Sequence, residues 1–489
     1  MKPTRAAAPL AALAALLAGA LPFAVGTTAW PEIVAPAWFV TQGVRLYDGI
    51  LFPHTPLLIL LTALAGKTLG FTAATLRALP ALALAASAAS IVLGMRPRPA
   101  SRLGPAAGLL LGTPLLALLT VYTEGPALWP EPFLAPFALA GVLLLERYER
   151  AGDGRALAAA GLAFGAGVLV KQTFGWAAVA ALLWLVVRSR RRRAGATAVF
   201  AAAVALPYLG FALSWALAFR TLAHVRWTLV YPVFSQMSKE IAVPLAAADV
   251  HEALLLLVPF AALALGVAAL PATSRRRSPL FAVALGATGM AWPRPGLLHL
   301  SALTGLAALA AARSALVLPA AFRHLRRRRS SPARLVALAG GAAGLAVTLG
   351  VAALGAGPLL LDRLGGPVFY WDDTVTRAET ASVRARVAPG GELLVFGARQ
   401  TLYPLTLTRT PGGFYVNPFF WYCLNRDGGD ERLVAALSAR PGLPILFRAP
   451  SSGEEPVRAT RVFAFLEAST EPDGPGPGET AWRRVAGVR

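Results

Sequence analysis

Cysteine is almost absent. Cys423 stands alone among 489 residues, which excludes an intramolecular disulfide and any cysteine-based metal cluster. Charge is scarce too: charged residues make up 14% of the chain, against roughly 25% in an ordinary soluble domain, too few to coat a globular surface. Acidic residues are rarer still, 24 against 46 basic ones, and only four of the basic residues are lysines. Several catalytic signatures are also missing. There is no Gly-rich phosphate loop followed by Lys-Ser/Thr, no His-Glu-x-x-His and no Gly-x-Ser-x-Gly, so neither an ATP-driven mechanism nor zinc-protease or serine-hydrolase chemistry is indicated.

In place of charge the chain has apolar length. Hydrophobic residues make up 56% of it, and the mean hydropathy is +0.59. Apolar blocks run approximately over 6–28, 56–70, 76–95, 104–121, 132–146, 156–170, 174–187, 195–218, 252–271, 279–292, 297–319 and 334–359. Several reach the ~20 residues that cross a ~30 Å hydrocarbon core. They predict an α-helical polytopic membrane protein with about 11–13 transmembrane helices. The abundance of Ala, Arg, Gly and Pro suggests a GC-rich bacterial genome, and hence a bacterial inner (plasma) membrane. The run from Ala6 to about Val25 reads as an uncleaved first helix; in the other reading it is a signal peptide cut near Thr27-Thr28-Ala29.

A formal net charge of +22 would point to nucleic acid in a soluble protein. Here the arginines stand in short runs between apolar blocks, at 188–193, 275–277 and 323–329, with weaker clusters at Arg96/Arg98/Arg102 and Arg147/Arg150/Arg155. That is the positive-inside pattern of cytoplasmic loops, and it argues against nucleic acid. Neighbouring clusters enclose two apolar blocks each, as a helical hairpin requires. A cytoplasmic N-terminus puts residues 29–55 outside; reaching Arg96 on the inside from there allows an odd number of crossings, yet two blocks lie between. The 56–70 block is the weak one: it is short, carries Lys67 and sits between Pro56 and Gly70. Placed re-entrantly or along the interface, it leaves eleven spans. The external segments are then 29–55, about 122–131, 171–173, 219–250, 293–296 and everything after 360.

Ten of the 24 carboxylates lie before residue 361 and fourteen after it. The chain divides there into a membrane domain, 1–360, and a small C-terminal extracytoplasmic α/β domain, 361–489. In the tail, Glu392–Phe396 and Pro444–Phe447 read as strands and Glu431–Ser438 as a short amphipathic helix. Pro472–Gly478 reads as a loop before one more strand. In the membrane part each external carboxylate is a candidate for function. Glu32 follows Trp30-Pro31 just beyond the first apolar run. A carboxylate there can take a proton from an acceptor hydroxyl, or help hold a divalent cation over a phosphate; the alternative is a solvated loop acid.

The next stretch, Gly43-Val-Arg-Leu-Tyr47-Asp48, a short gap, then His54-Thr-Pro56-Leu, resembles the GT-C superfamily of membrane glycosyltransferases. The branch is that of the protein O-mannosyltransferases and bacterial aminoarabinose transferases. Further segments resemble that family in the same order: Leu69-Gly70-Phe71 with Leu76-Arg77-Ala-Leu-Pro80; Trp129-Pro-Glu131-Pro-Phe; Ala160-Gly-Leu-Ala-Phe-Gly165 through Lys171-Gln172; Trp292-Pro-Arg294 through His299; and Leu393–Gly397 with Leu402-Tyr403. Their collinearity over most of the chain carries the resemblance. Two departures stand out. Glu32 is flanked by Pro31 and Ile33 where relatives carry adjacent acids, and Gly296 stands where an acid is common.

The resemblance implies transfer of a sugar from a polyprenyl-phosphate-linked donor to a lipid, glycan or protein acceptor on the extracytoplasmic face. Glu32 would be the catalytic base. Lys171, the only lysine at an external helix junction, would bind the donor phosphate together with Arg294 and His299; its alternative is snorkelling to the interface. Tyr47, Asp48, His54, Glu131 and Gln172 would be substrate contacts. A divalent cation, Mg²⁺ or Mn²⁺, with Glu32 among its ligands, is an optional cofactor. The hydroxyl would attack the anomeric carbon with inversion, and polyprenyl phosphate would leave, neutralised by Lys171 and Arg294. The rival readings are a lipid or polysaccharide transporter without glycosyl transfer, and a structural membrane subunit. Transporter sites call for ionisable residues or paired broken helices at the midplane, whereas the polar residues here cluster at external loops and helix ends.

Overall fold

In hydrocarbon every backbone N–H and C=O must be satisfied within its own segment, so long apolar runs become helices. The computed structural model describes residues 7–52, 54–95, 104–123, 125–188, 193–230, 247–270, 278–291, 297–327, 332–397, 399–416, 428–449 and 460–486. Among them six helices are long and apolar enough to cross a membrane: Ala7–Ala24, Ala73–Gly94, Gly104–Tyr122, Ala194–Phe219, Ser301–Arg326 and Pro332–Asp362. Four shorter apolar helices, Leu57–Leu69, Gly154–Val170, Gln172–Val187 and Leu256–Ala269, accompany them. The Leu57–Leu69 helix has 13 residues, roughly 20 Å at 1.5 Å per residue, short of a ~30 Å core. The arginine run at 275–277, the cluster Arg96/Arg98/Arg102, Arg294 and Cys423 lie outside the described residues.

The chain forms two compact units. The first comprises Met1–Thr27, Ala78–Phe211 and Ala242–Gly366. Its core helix, Thr304–Arg327, is buried over the whole run Leu306–Ala312, because alanines let neighbouring helices approach on every side. Leu134–Ala151 and Gly154–Val170 form a helical hairpin. Gly152 ends the first helix at a φ of 65° and Asp153 caps the second by accepting from the Arg155 N–H at 3.1 Å, a Gly stop followed by an Asp start. Between Leu134–Ala151 and Thr304–Arg327, Arg313 donates to both oxygens of Glu146 at 2.7 and 2.9 Å, and Ser278 donates to Glu146 at 2.6 Å. This charge pair is fully answered, as burial requires. Leu206, Leu209, Leu213 and Leu217 stand exposed along one helix, a spacing suited to lipid tails.

The second unit comprises Thr28–Arg77, Ala212–Ile241 and Pro367–Arg489. The segment after the first span therefore folds with the tail. Its helix Pro31–Thr41 has proline at its first position and Glu32 in its first turn, a helix-start signal in sequence terms. Phe39 of this helix packs on Tyr403 and Tyr415 with ring centroids 5.0 and 4.9 Å apart. The strand Ile50–Leu51 pairs in parallel with Tyr415–Val416. The tail carries a four-stranded sheet in the order Leu394–Phe396, Pro444–Phe447, Ala481–Val485, Thr470–Pro475, the first pair parallel and the others antiparallel. Helices Thr374–Arg386, Gly429–Ser438 and Arg461–Ser469 accompany it. Phe396, Phe447 and Phe463 stack in its core.

Candidate active site

Three of the residues singled out in the sequence meet in the first unit. Glu131 opens a short turn, Glu131–Phe133, between Pro130 and Pro132, whose fixed φ angles pre-set the bend. Lys171 follows the helix Gly154–Val170 in extended conformation, φ −153° and ψ 123°. His299 sits on the helical turn Leu297–Leu300. Lys171 Nζ and His299 Nδ1 both contact Oε1 of Glu131, and they lie 3.5 Å from each other. Glu131 is fully buried, Lys171 nearly so and His299 partly open. Burial alone raises the Glu131 carboxyl; the Lys171 ammonium and His299 outweigh it and hold the group at about 2. Glu131 is thus an anion, and its charge balances Lys171. Its Oε2 has no hydrogen-bond partner among the described residues. A narrow cleft in the same unit is lined by Leu84, Thr120, Thr123, Pro132, Ser301 and Thr304.

Glu32 belongs to the second unit. It is 4% exposed, and its Oε2 has no hydrogen-bond partner among the described residues. The helix N-terminus favours a carboxylate, but loss of water dominates and pushes the group up to about 7. Two tyrosines feel its charge. Burial first, then Glu32, raises Tyr370 and raises Tyr415 well above the usual phenol range. The Tyr415 hydroxyl is bonded to Gln400 Oε1.

The remaining candidates are placed as follows. Tyr47 is buried at a φ of 70°, its N–H donating to Ile50 O at 2.7 Å and its hydroxyl to His54 O at 2.7 Å. The Gly-x-x-Leu-Tyr and His-x-Pro segments thereby brace one loop. Asp48 is exposed, and its carbonyl accepts from Arg432 at 3.3 Å. Gln172 is half-buried on the turn Gln172–Phe174, and Arg77 is half-buried in Ala73–Gly94. Arg294 lies outside the described residues. For the optional divalent cation, the described residues bring together no group of three His, Cys, Asp or Glu side chains that could hold one.

The sequence reading passed over a second set of side chains in the tail. Asp373, the N-cap of Thr374–Arg386, accepts from Val375 and Thr376 N–H at 3.1 Å each and from the Tyr370 N–H at 2.7 Å. It also pairs with Arg399, whose guanidinium donates to Thr376 Oγ1 at 2.6 Å. Glu379, one turn along, is 4% exposed with Oε2 unpartnered among the described residues. Burial lifts it to about 7, against the pull of Arg399. The only advance signal was Asp373-Thr-Val-Thr376, a helix-start pattern lost among the fourteen acids of the tail.

Comparison with known proteins bears on both units. Residues 53–215 match the family model described as dolichyl-phosphate-mannose-protein mannosyltransferase. The structure is similar to that of ArnT from Cupriavidus metallidurans, crystallised bound to undecaprenyl phosphate and in the apo state. The TM-scores are 0.55 and 0.56, at 13% identity, with 99% of each chain covered. The chain shares the fold of ArnT. The family-model match takes in Glu131, Lys171 and Gln172, while Glu32, His299 and the whole tail lie outside it. Comparison with curated proteins finds no match.

Proposed function

We propose that this protein is a GT-C glycosyltransferase that moves a sugar from a polyprenyl-phosphate-linked donor to an acceptor hydroxyl at the extracytoplasmic face of a bacterial inner membrane. The observation that carries the reading is Glu32, a buried carboxyl with one unbonded oxygen and a pKa near 7. A general base works best when its pKa lies near the working pH, and a merely structural acid gains nothing from being buried without a partner. Glu32 is assigned the proton of the acceptor hydroxyl, which attacks the anomeric carbon as the carbon–phosphate oxygen bond breaks.

The donor phosphate is assigned to Lys171 and His299, with Arg294 from the sequence pattern. Lys171 already balances Glu131, so the cluster is close to neutral before the donor arrives. An ammonium has three N–H donors, which leaves Lys171 able to donate to a phosphate oxygen while held by Glu131. His299 is more open than Lys171 and Glu131, so its ring can be reached by a phosphate oxygen. Glu131 then orients Lys171 and His299. The match to a dolichyl-phosphate-mannose-dependent family and the fold shared with a protein crystallised with undecaprenyl phosphate support the lipid-phosphate class of donor.

The test is transfer of radiolabelled sugar from a panel of polyprenyl-phosphate donors into membrane fractions, comparing wild type with Glu32→Gln and Lys171→Ala at matched expression. Wild-type transfer that both variants lose by about 10²-fold or more supports enzyme class and residues together. Transfer that persists in both variants moves the chemistry to other residues. No transfer from any donor favours the transporter reading.

A further inference from the structure

The segment 368–373 holds one residue in a conformation its side chain does not favour. Tyr370 has a φ of 64°, the left-handed region that a bulky residue occupies only when its surroundings impose it. Here they do. The Tyr370 N–H donates to Asp373 Oδ2 at 2.7 Å, and its carbonyl accepts from the Thr401 hydroxyl. Asp373 is itself fixed by the N-terminus of Thr374–Arg386 and by Arg399. The Arg399 guanidinium carbon lies 5.2 Å from the centre of the Tyr370 ring, and Trp30 lies 5.5 Å from it. Backbone and ring are therefore both clamped.

Nothing in that clamp uses the hydroxyl. Every bond just named is made by the Tyr370 backbone or the face of its ring. The residue is half-buried, so the hydroxyl keeps an open side. Two positions along the chain from Trp30 is Glu32, whose charge Tyr370 feels and whose Oε2 is unbonded. Four ionisable groups act on Tyr370: Glu32, Arg399, Asp373 and Arg448. Asp373 is occupied by Arg399 and Arg448 pairs with Glu479 at 3.2 Å. That leaves Glu32 and the Tyr370 hydroxyl as neighbouring groups with capacity to spare, one to accept a proton and one to donate a hydrogen bond.

We propose that Tyr370 is an acceptor-contact residue: its hydroxyl donates a hydrogen bond to the acceptor beside the hydroxyl that Glu32 deprotonates, and Asp373, Arg399 and Thr401 hold it there. This rests on Glu32 being the base, and it gives the tail a direct part in the reaction. The strain at Tyr370 is then the cost of pre-orientation. Its hydroxyl stays protonated, and so remains a donor, throughout the pH range in which Glu32 acts, because burial and the Glu32 charge both raise it.

The decisive variant is Tyr370→Phe, which keeps the ring between Trp30 and Arg399 and deletes only the hydroxyl. With the labelled donor that wild type uses, its initial rate of transfer into membranes falls roughly 10- to 100-fold, the effect of losing one hydrogen bond at a reacting centre. The half-saturating donor concentration and the thermal unfolding midpoint stay at their wild-type values. Thr401→Val, which frees the Tyr370 carbonyl, slows transfer about 3- to 10-fold at the same donor saturation. A wild-type rate in Tyr370→Phe overturns the inference, as does a slower rate accompanied by weaker donor saturation. Glu32→Gln run in parallel separates the two levels. If it is inactive while Tyr370→Phe is unimpaired, only the acceptor contact fails; if it is fully active, the base assignment fails and takes this inference with it.

Discussion

Glu32 and Glu379 are carboxyls whose surroundings move them in the same direction for the same reason. Both are buried and both rise to about 7. For Glu32 the consequence is kinetic. As the proposed base it must be ionised, so the transfer rate is expected to fall about tenfold per pH unit below ~7 and level off above it, which a pH–rate profile at saturating donor checks. For Glu379 the consequence is thermodynamic. Its folded pKa lies above its unfolded value, so the folded state binds more protons between about 4.5 and 7. Stability therefore falls as pH rises through that window and stays low above it. Glu379→Gln removes this dependence and raises stability at pH 8 by on the order of 2 kcal/mol, measured by thermal unfolding in detergent; a Gln variant that unfolds with the wild-type pH dependence contradicts the assignment. Glu131→Gln acts in the opposite sense: it leaves Lys171 buried without its counter-charge, and destabilises by roughly 3–5 kcal/mol. Adding Lys171→Met recovers much of that loss. Glu32 and Lys171 stand out in the sequence as rare polar residues at the ends of apolar runs, whereas Glu131 and His299 were picked out by the family resemblance. Tyr370, Asp373, Glu379 and Arg399 were not, because the tail is full of charges and only folding separates the buried ones from the solvated.

At the scale of elements, the legible features are those with local causes. The long helices follow from apolar runs, and the strands at 394–396 and 444–447 and the helix at 429–438 follow from short apolar segments between Gly-rich turns. The helix Pro31–Thr41 was read only as part of an external loop, although Pro31 and Glu32 carry its start signal. The helix Gly154–Val170 shows what a local pattern does in three dimensions. A Cβ on Gly161 would meet Ala203 Cβ at 2.6 Å and Phe200 O at 2.8 Å; one on Gly165 would meet Val204 O at 2.4 Å. These two glycines, four residues apart, let the helix Arg193–Phe219 approach to backbone contact, the small-residue packing of membrane helices. Gly165→Val forces that contact apart at a cost of about 1–3 kcal/mol, seen as a lower unfolding midpoint and lower yield. Gly175→Ala, at a glycine with nothing within 4 Å of an added Cβ, is the matched control and leaves both unchanged.

For the whole molecule, composition marks residue 361 as the place where lipid-matched helices end. Chain contacts draw a different line. They join Thr28–Arg77 and Ala212–Ile241 to the tail in one unit, and no composition shift announces this, because the pairing of residues 50–51 with 415–416 is remote in sequence. The positive-inside reading of the arginines predicts that this unit lies on the extracytoplasmic side. With Cys423→Ser and Ala439→Cys, the latter at an exposed position, a membrane-impermeant thiol reagent labels intact spheroplasts. Labelling only after permeabilisation reverses the topology.

The parallel pairing of Ile50–Leu51 with Tyr415–Val416 also sets an order of manufacture. Residue 50 leaves the ribosome long before residue 415, so the early strand waits, unpaired, while the helices between them are inserted. The aromatic packing of Phe39 on Tyr403 and Tyr415 waits with it, and so does the clamp that sets Tyr370 beside Trp30. A nascent chain thus reaches the bilayer with its proposed base in an unfinished setting. That setting is completed only once residue 416 has been made.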